Sequence, residues 1–273
     1  MDRPNPMTVV IEAPAKINLF LEVVNRRKDN YHNIISIMQS VSLYDRITIE
    51  PHPRALSLSC NWADLPTDSR NLAMRAAVAL KEKTGVRCGA AIRLEKNIPL
   101  GAGLGGGSSD AAGVLKGLIN LWDIRVSRRE QVQLATSLGA DVPFFLKGGR
   151  ARATNIGDRL ISLPVKRKQW YILVNPGISV STPWVYGKLR FPLTKRPENN
   201  RITKLFNRLE EVVLPHYPAI RKIKDILTAE GIKSMMSGSG ATVFGIVSGE
   251  REGTALQKVL KKYRWKTWVV HTV

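Results

Sequence analysis

Only two cysteines, Cys60 and Cys88, occur in the 273 residues, and they match no metal-ligand spacing. A disulfide framework and a zinc site are excluded as the basis of the fold. No apolar run approaches the roughly 20 residues of a membrane span. The opening "MDRPNPMTVVIEAP" has neither a charged-then-apolar signal pattern nor an Arg/Ser-rich transit pattern, so a cytoplasmic location is expected. Acidic residues are scarce as well. Against 42 Lys and Arg stand 22 Asp and Glu, a net charge of +20. Residues 161–273 alone hold 20 Lys/Arg and 7 Asp/Glu. Such a chain attracts nucleic acid, anionic lipid or phosphorylated small molecules. Its positive residues come in short clusters, "RRK" (26–28), "KRK" (166–168) and "KKYRWK" (261–266), not in one tail. No zinc-finger, homeodomain or RNP pattern accompanies them, so neither a nucleic-acid nor a membrane partner is expected.

The apolar fraction, 44%, is that of an ordinary globular protein long enough for one large domain or two modest ones. Residues 8–24 read as a strand, a break at Pro14, and a second strand in which Ile17, Leu19, Leu21 and Val23 alternate. Lys16 and Asn18 therefore share one face. Further strands are expected over "SIMQSVSLYDRITIE", "ALSLSC" and "GAAIRLEKNIPL", with a helix over 71–85 that stops at a glycine. A helix with the stripe Val114, Leu115, Leu118, Ile119, Trp122 follows residue 107, capped by Ser108, Ser109 or Asp110. Beyond it come a helix over "REQVQLATSLG", a strand "QWYILVNPG" and a Pro/Asn-rich loop at 190–201. Helices near 201–213 and 218–230, two strands joined by "GSG", a helix near 251–263 and a final strand complete the reading. Strands and helices mix without regular alternation, which predicts an α+β fold in two lobes, divided as 1–160 and 161–273.

The densest feature is "NIPLGAGLGGGSSDAAG" (97–113), with five glycines between Gly101 and Gly107. Gly101, Gly103 and Gly106 match G-x-G-x-x-G, but the dinucleotide fingerprint also needs an acid closing a second strand about 20 residues on. Asp123 follows Trp122 at the helix end, and only "IRV" comes after it. A P-loop needs a lysine after the last glycine, where Ser108 stands. Protein kinases need "HRD" and "DFG", and both are absent. A plain glycine turn would carry a high conformational entropy for no return. What remains is a loop whose free N–H groups and following helix dipole can hold an anion.

"PLGAGLGGGSSDAA" resembles the P-x-x-x-G-L-G-G-G-S-S motif of the GHMP kinase superfamily. "APAKINLFLEV" and "MMSGSGATVFGIV" resemble its first and third motifs, in order. Within the superfamily, "PAKINLFLEVVNRRKDNYHNIISIMQSVSLYD" and "LGADVPFFLKGGRARATNIGDRL" resemble the branch acting on a cytidine-diphosphate-linked methylerythritol in the non-mevalonate isoprenoid pathway. The resemblance spans about residues 10–250. That branch usually has Gly where Asn30 stands, a position Asn can hold in a left-handed backbone. It often has Gly and Glu where Asn155 and Asp158 stand.

The resemblance implies a GHMP fold: an N-terminal ATP-binding lobe of mixed sheet plus helices, and a C-terminal α/β-sandwich lobe that takes the substrate. It implies ATP and Mg2+, and transfer of the γ-phosphoryl group to a tertiary hydroxyl of a small CDP-linked acceptor. Such a hydroxyl needs a base and a cation. On residue type alone Asp141 reads as the cap of a helix with Pro143 in its first turn, and Lys16 as a strand-edge surface lysine. The resemblance makes Asp141 the base and Lys16 the cation. It makes Tyr31 and His32, otherwise a polar surface turn, recognise cytosine, with Tyr186 as a second aromatic. Thr182 then orients Asp141 or Lys16, and Asn18 contacts the acceptor. Pro99, Leu100, Gly101, Ala102, Gly103, Leu104, Gly105, Gly106, Gly107, Ser108 and Ser109 form the ATP loop, with Ser108 or Ser109 touching magnesium. Lys96 lines the adenosine pocket. Gly238 to Gly240 make a hairpin turn small enough for close backbone approach.

Overall fold

β1 (Val9–Arg26) runs unbroken through Pro14, which is tolerated because proline holds an extended φ and lacks only one donor. The expected break is absent. The expected half-burial fails too, because Lys16, Asn18, Phe20 and Glu22 are buried along with Ile17, Leu21 and Val23. The polar members of that face have partners inside the protein. The computed structural model describes residues 8–165, 167–191 and 205–273. Most of the Pro/Asn-rich loop, the start of the helix expected at 201, and Lys166 of "KRK" lie outside the described residues.

Two compact units interleave along the chain. One takes residues up to Ala15, Leu43–Pro99 and Gly105–Gly148. The other takes Lys16–Ser42, Leu100–Leu104 and the residues from Gly149 on.

In the first unit the C-terminal half of β2 (His32–His52) pairs antiparallel with β4 (Gly89–Glu95), placing Ile47 opposite Leu94 and Ile49 opposite Ile92. β3 (Leu56–Cys60) adds in parallel to β4. α1 (Leu72–Thr84) starts at the Asn71 cap and stops at left-handed Gly85, the glycine stop its sequence predicts. α2 (Gly106–Leu121) approaches the sheet so closely that a Cβ at Gly113 or Gly117 would stand 2.5 Å from Ile47 or Ile49. These two glycines set the depth of the helix. α3 (Arg128–Leu138) opens with a Ser127–Glu130 capping box, and the short α4 (Val142–Phe145) follows it.

In the second unit the N-terminal half of β2 pairs with β5 (Arg150–Thr154), which pairs with β6 (Arg159–Leu163). β7 (Trp170–Asn175) is followed by α5 (Thr182–Gly187). Part of the helix expected near 201–213 is instead β8 (Phe206–Asn207), parallel to β1 at Phe20 and Leu21. The helix itself is shorter: α6 (Glu210–His216). The reason is local: Arg208 next to β8 forms a buried two-point ion pair with Glu22 of β1 at 2.7 and 2.9 Å.

α7 (Pro218–Ala229) buries Ile220, Ile223 and Leu227 at helical spacing. They pack with Ile172, Val174, Val243 and Val247, from β7 and β10 (Val243–Val247), in one core cluster. Each such side chain contributes about 1.5–3 kcal/mol when fully buried. β9 (Ser234–Met236), β10, β7 and β11 (Lys266–His271) form a four-stranded antiparallel sheet. The last helix ends earlier than expected, as α8 (Glu250–Leu260) followed by a 3-10 turn. Mixed and antiparallel sheets beside helices make the fold α+β.

Candidate active site

The glycine loop ends in a left-handed residue. Gly105 (φ 70°) is the N-cap of α2, so the helix starts at Gly106, and Ser108, Ser109 and Asp110 sit inside it instead of capping it. A glycine can take that φ without a Cβ clash, which lets the chain turn directly into the helix. No side chain caps α2, and no acidic residue occupies its first turn. Its first N–H groups therefore have no intrahelical acceptor, and no side chain of its own first turn offsets the positive end of its dipole. Downstream, α2 runs through Trp122 to positive-φ Asp123 and then α3, with no second strand, which removes the dinucleotide fold.

Within the second unit, residues 100–104 are tied to β1 and to the β9–β10 turn. The Lys16 N–H donates to the Leu104 carbonyl at 2.9 Å. The Ser237 hydroxyl donates to the Gly103 carbonyl at 2.9 Å and accepts the Asn18 N–H at 3.3 Å. Gly103 (φ 75°) lies so close to this turn that a Cβ would stand 2.0 Å from the Ser237 carbonyl oxygen. Asn207 fixes the turn from below, donating to the Met236 and Gly238 carbonyls, each at 2.8 Å. A Cβ on Gly238 would be 3.4 Å from the Lys16 Nζ, so this turn is packed against the lysine head group.

Lys16 is buried, 4% exposed, and is no strand-edge lysine. Its ammonium donates to Asn18 Oδ1 at 2.7 Å; Asn18 Nδ2 donates to the Ser36 hydroxyl at 2.8 Å. The Ser36 hydroxyl in turn donates to the Phe20 carbonyl at 2.7 Å. The side chain of Asn18 is thus committed at both ends inside the protein. Thr182, the first residue of α5, shares a 2.7 Å hydrogen bond with Ser239 of the glycine turn.

His32 is buried while Tyr31 is 60% exposed. The imidazole centroid lies 5.1 Å from Tyr186 and 5.6 Å from Phe191, the latter ring nearly parallel to it. His32 Nε2 is buried with no hydrogen-bond partner. Burial, with the Arg26 charge second, holds the imidazole below its ordinary value. Phe191 is an aromatic the sequence reading missed: it stands in a Pro-rich stretch with no period to signal it. The turn before His32 uses Asn30 in the left-handed region (φ 67°), the conformation that lets Asn replace Gly there.

In the first unit Asp141 occupies the N-cap position of α4, but its side chain makes no capping bond. It is half-buried, and Val142 to Phe145 behind it are all buried. Lys96 is buried with Asp45 and Asp110, an ion-pair cluster the sequence reading did not foresee because its members are 51 and 14 residues apart in sequence. The Ser109 hydroxyl is buried with no partner. Among the described residues no cluster of three or more His, Cys, Asp or Glu could hold a metal, and no helix is long and apolar enough to cross a membrane.

The family model described as "GHMP kinases N terminal domain" matches residues 71–149, and "GHMP kinases C terminal" matches 194–264. A protein of Syntrophotalea carbinolica named 4-diphosphocytidyl-2-C-methyl-D-erythritol kinase is 43% identical, covering 96% of this chain and 98% of its own. The chain belongs to that kinase family. A 4-diphosphocytidyl-2-C-methyl-D-erythritol kinase of Desulfotalea psychrophila is 44% identical over 96% of this chain and 95% of its own. A crystal structure of 4-(cytidine 5'-diphospho)-2C-methyl-D-erythritol kinase has a TM-score of 0.86 at 35% identity, covering 97% of this chain and 99% of that one. Homoserine kinase from Cytophaga hutchinsonii, at 16% identity and a TM-score of 0.70, shares the fold. Members of the 4-diphosphocytidyl-2-C-methyl-D-erythritol kinase family are ATP-dependent small-molecule kinases of the non-mevalonate isoprenoid pathway.

Proposed function

We propose that this chain transfers the γ-phosphoryl group of ATP to the 2-hydroxyl of 4-diphosphocytidyl-2-C-methyl-D-erythritol. The observation that carries the reading is similarity over nearly the whole chain to kinases of that name. In the transfer, the hydroxyl oxygen bonds to the γ-phosphorus as the bond to the β,γ-bridging oxygen breaks, and ADP leaves. The carboxylate of Asp141 takes the hydroxyl proton, and the ammonium of Lys16 holds negative charge. Thr182 and Ser239 together orient the turn beside Lys16.

Residues 99–109 bind the ATP phosphates through loop N–H groups and the α2 dipole; the absence of an acid in the first turn of α2 supports this. The ATP-binding residues then lie within 1–160, while the acceptor residues are divided between 1–160 (Lys16, Tyr31, His32) and 161–273 (Thr182, Tyr186). His32 and Tyr186 receive the cytosine together with Tyr31; the unpartnered His32 Nε2 supports a polar ligand there. Ser109, an orphaned buried hydroxyl, suits a hard cation that takes oxygen ligands. Mg2+ bound there and to the phosphates would neutralise phosphate charge. The unpaired cysteines Cys60 and Cys88 support a reducing, cytoplasmic setting.

An acceptor panel with ATP and magnesium tests the reading. Phosphate transfer to the CDP-linked acceptor is expected; transfer to homoserine or mevalonate in its place would overturn it.

A further inference from the structure

The two stems of the glycine loop, 96–98 before it and 106–110 after it, are joined by three buried ionisable side chains. Lys96 directly follows β4. Its ammonium pairs with Asp45 Oδ2 on β2 and donates to Asp110 Oδ2 on α2 at 2.6 Å. The three side chains are 1%, 0% and 4% exposed for Lys96, Asp45 and Asp110. The other oxygen of Asp45 accepts the N–H groups of Asn97 at 2.6 Å and Ile98 at 2.8 Å. A Cβ on Gly106 would stand 2.9 Å from Ile98 Cγ2 and 3.3 Å from Asp45 Oδ2, so the first residue of α2 is seated on this same group. One aspartate thus holds the entering stem by its backbone, and the lysine carries the connection across to the leaving stem.

Two carboxylates against one ammonium, all desolvated, make a poor choice for stability alone, because apolar residues of similar volume do as well or better. What such a cluster supplies is a fixed geometry. A loop with glycines at 101, 103 and 105 needs one, since it is otherwise free to take many shapes, each of which must be given up when a ligand binds. The Lys96 ammonium is engaged by both carboxylates, so the lysine acts on the nucleotide through the stems it joins.

We propose that Asp45 and Asp110, clasped by Lys96, are positioning residues for nucleotide binding: they set the spacing of the two loop stems before ATP arrives. This rests on the reading that residues 99–109 hold the nucleotide.

The test is an ADP–magnesium titration of the full chain without acceptor, for wild type, Asp45→Asn and Asp110→Asn, beside steady-state kinetics and thermal unfolding. Each substitution keeps the side-chain volume and replaces a carboxyl group by an amide; burial pushes the Asp110 carboxyl up to about 7, so for that residue the change is mainly one of hydrogen bonding. ADP dissociation constant and ATP KM are expected to rise tenfold or more, while the acceptor KM stays within twofold. Should either variant fail to fold, Lys96→Arg keeps the charge but changes the span, and the same selective loss of nucleotide affinity is expected. Folded variants that bind ADP within twofold of wild type, whatever their melting temperature, would overturn the inference, as would a wild type that binds no ADP. Because ADP binding is read without acceptor, a wild type that binds ADP but phosphorylates no CDP-linked acceptor overturns the proposed reaction and leaves the clasp standing to be judged on its own variants.

Discussion

The Lys16 ammonium lies 2.7 Å from the amide oxygen of Asn18, and both side chains are buried on one face of β1. The amide nitrogen of Asn18 is spent on Ser36. Asn18 therefore links the lysine head group to Ser36.

Replacing Asn18 by Ala takes one acceptor from Lys16 and one donor from Ser36. A stability loss of about 1–3 kcal/mol in urea unfolding is expected, the cost of leaving buried polar groups underserved. The kcat should fall more than the acceptor KM rises. A raised acceptor KM with unchanged kcat and stability would instead assign Asn18 to substrate contact.

Asp141→Asn should lower kcat by roughly 10²–10⁴-fold, the usual worth of a positioned base. If Lys16 and Asp141 act in one step, Lys16→Met combined with Asp141→Asn will cost little more than the worse single change. Strictly multiplicative losses in a double-mutant cycle would separate their roles.

Gly103→Ala meets two obstacles at once, a φ of 75° and a carbonyl oxygen 2.0 Å from the new Cβ. The loop must shift away from Ser237. We expect ATP KM to rise at least tenfold, on the order of 1.4 kcal/mol of lost binding, and wild-type ATP kinetics in this variant would contradict the loop assignment.

His32 is held below the ordinary 6.5 by burial first and by the Arg26 charge second. The imidazole is therefore neutral at pH 7 and gains its proton only on the acid side of 6.5. The acceptor KM should stay flat from about pH 8 down to that value and rise as the pH falls further. His32→Gln should abolish the acid-side rise; an unchanged profile would remove His32 from acceptor binding.

Arg208→Met leaves Glu22 buried, its two-point partner gone. Removing one member of a buried ion pair costs about 3–5 kcal/mol. The loss should be visible by chemical denaturation, and Glu22→Gln added to Arg208→Met should recover part of it.

Periodic segments were legible in the sequence. The helix from Leu72 to Thr84 shows its glycine stop, and the shared face of Lys16 and Asn18 follows from the strand period alone. The glycine run is legible as a turn into a helix, because Gly105 needs its left-handed φ to open α2. What the sequence hid are contacts between distant residues. Nothing near Lys96 announces Asp45, 51 residues earlier, and nothing in "LFNRLE" reveals that Arg208 will be drawn to Glu22. That ion pair accompanies β8 where helical propensity favoured a helix. Phe191 was missed for the same reason: its partner His32 is remote in sequence.

The chain passes between its two units at Ala15–Lys16, Ser42–Leu43, Pro99–Leu100, Leu104–Gly105 and Gly148–Gly149. Two of those crossings fall within the glycine loop and one lies immediately before Lys16. No single cut yields either unit whole, so gene fusion or exchange at any one point cannot graft one unit onto a new companion. Residues 161–273 expressed alone lack Lys16–Ser42 and Leu100–Leu104. An exchange of residues 161–273 would therefore carry over only part of the second unit.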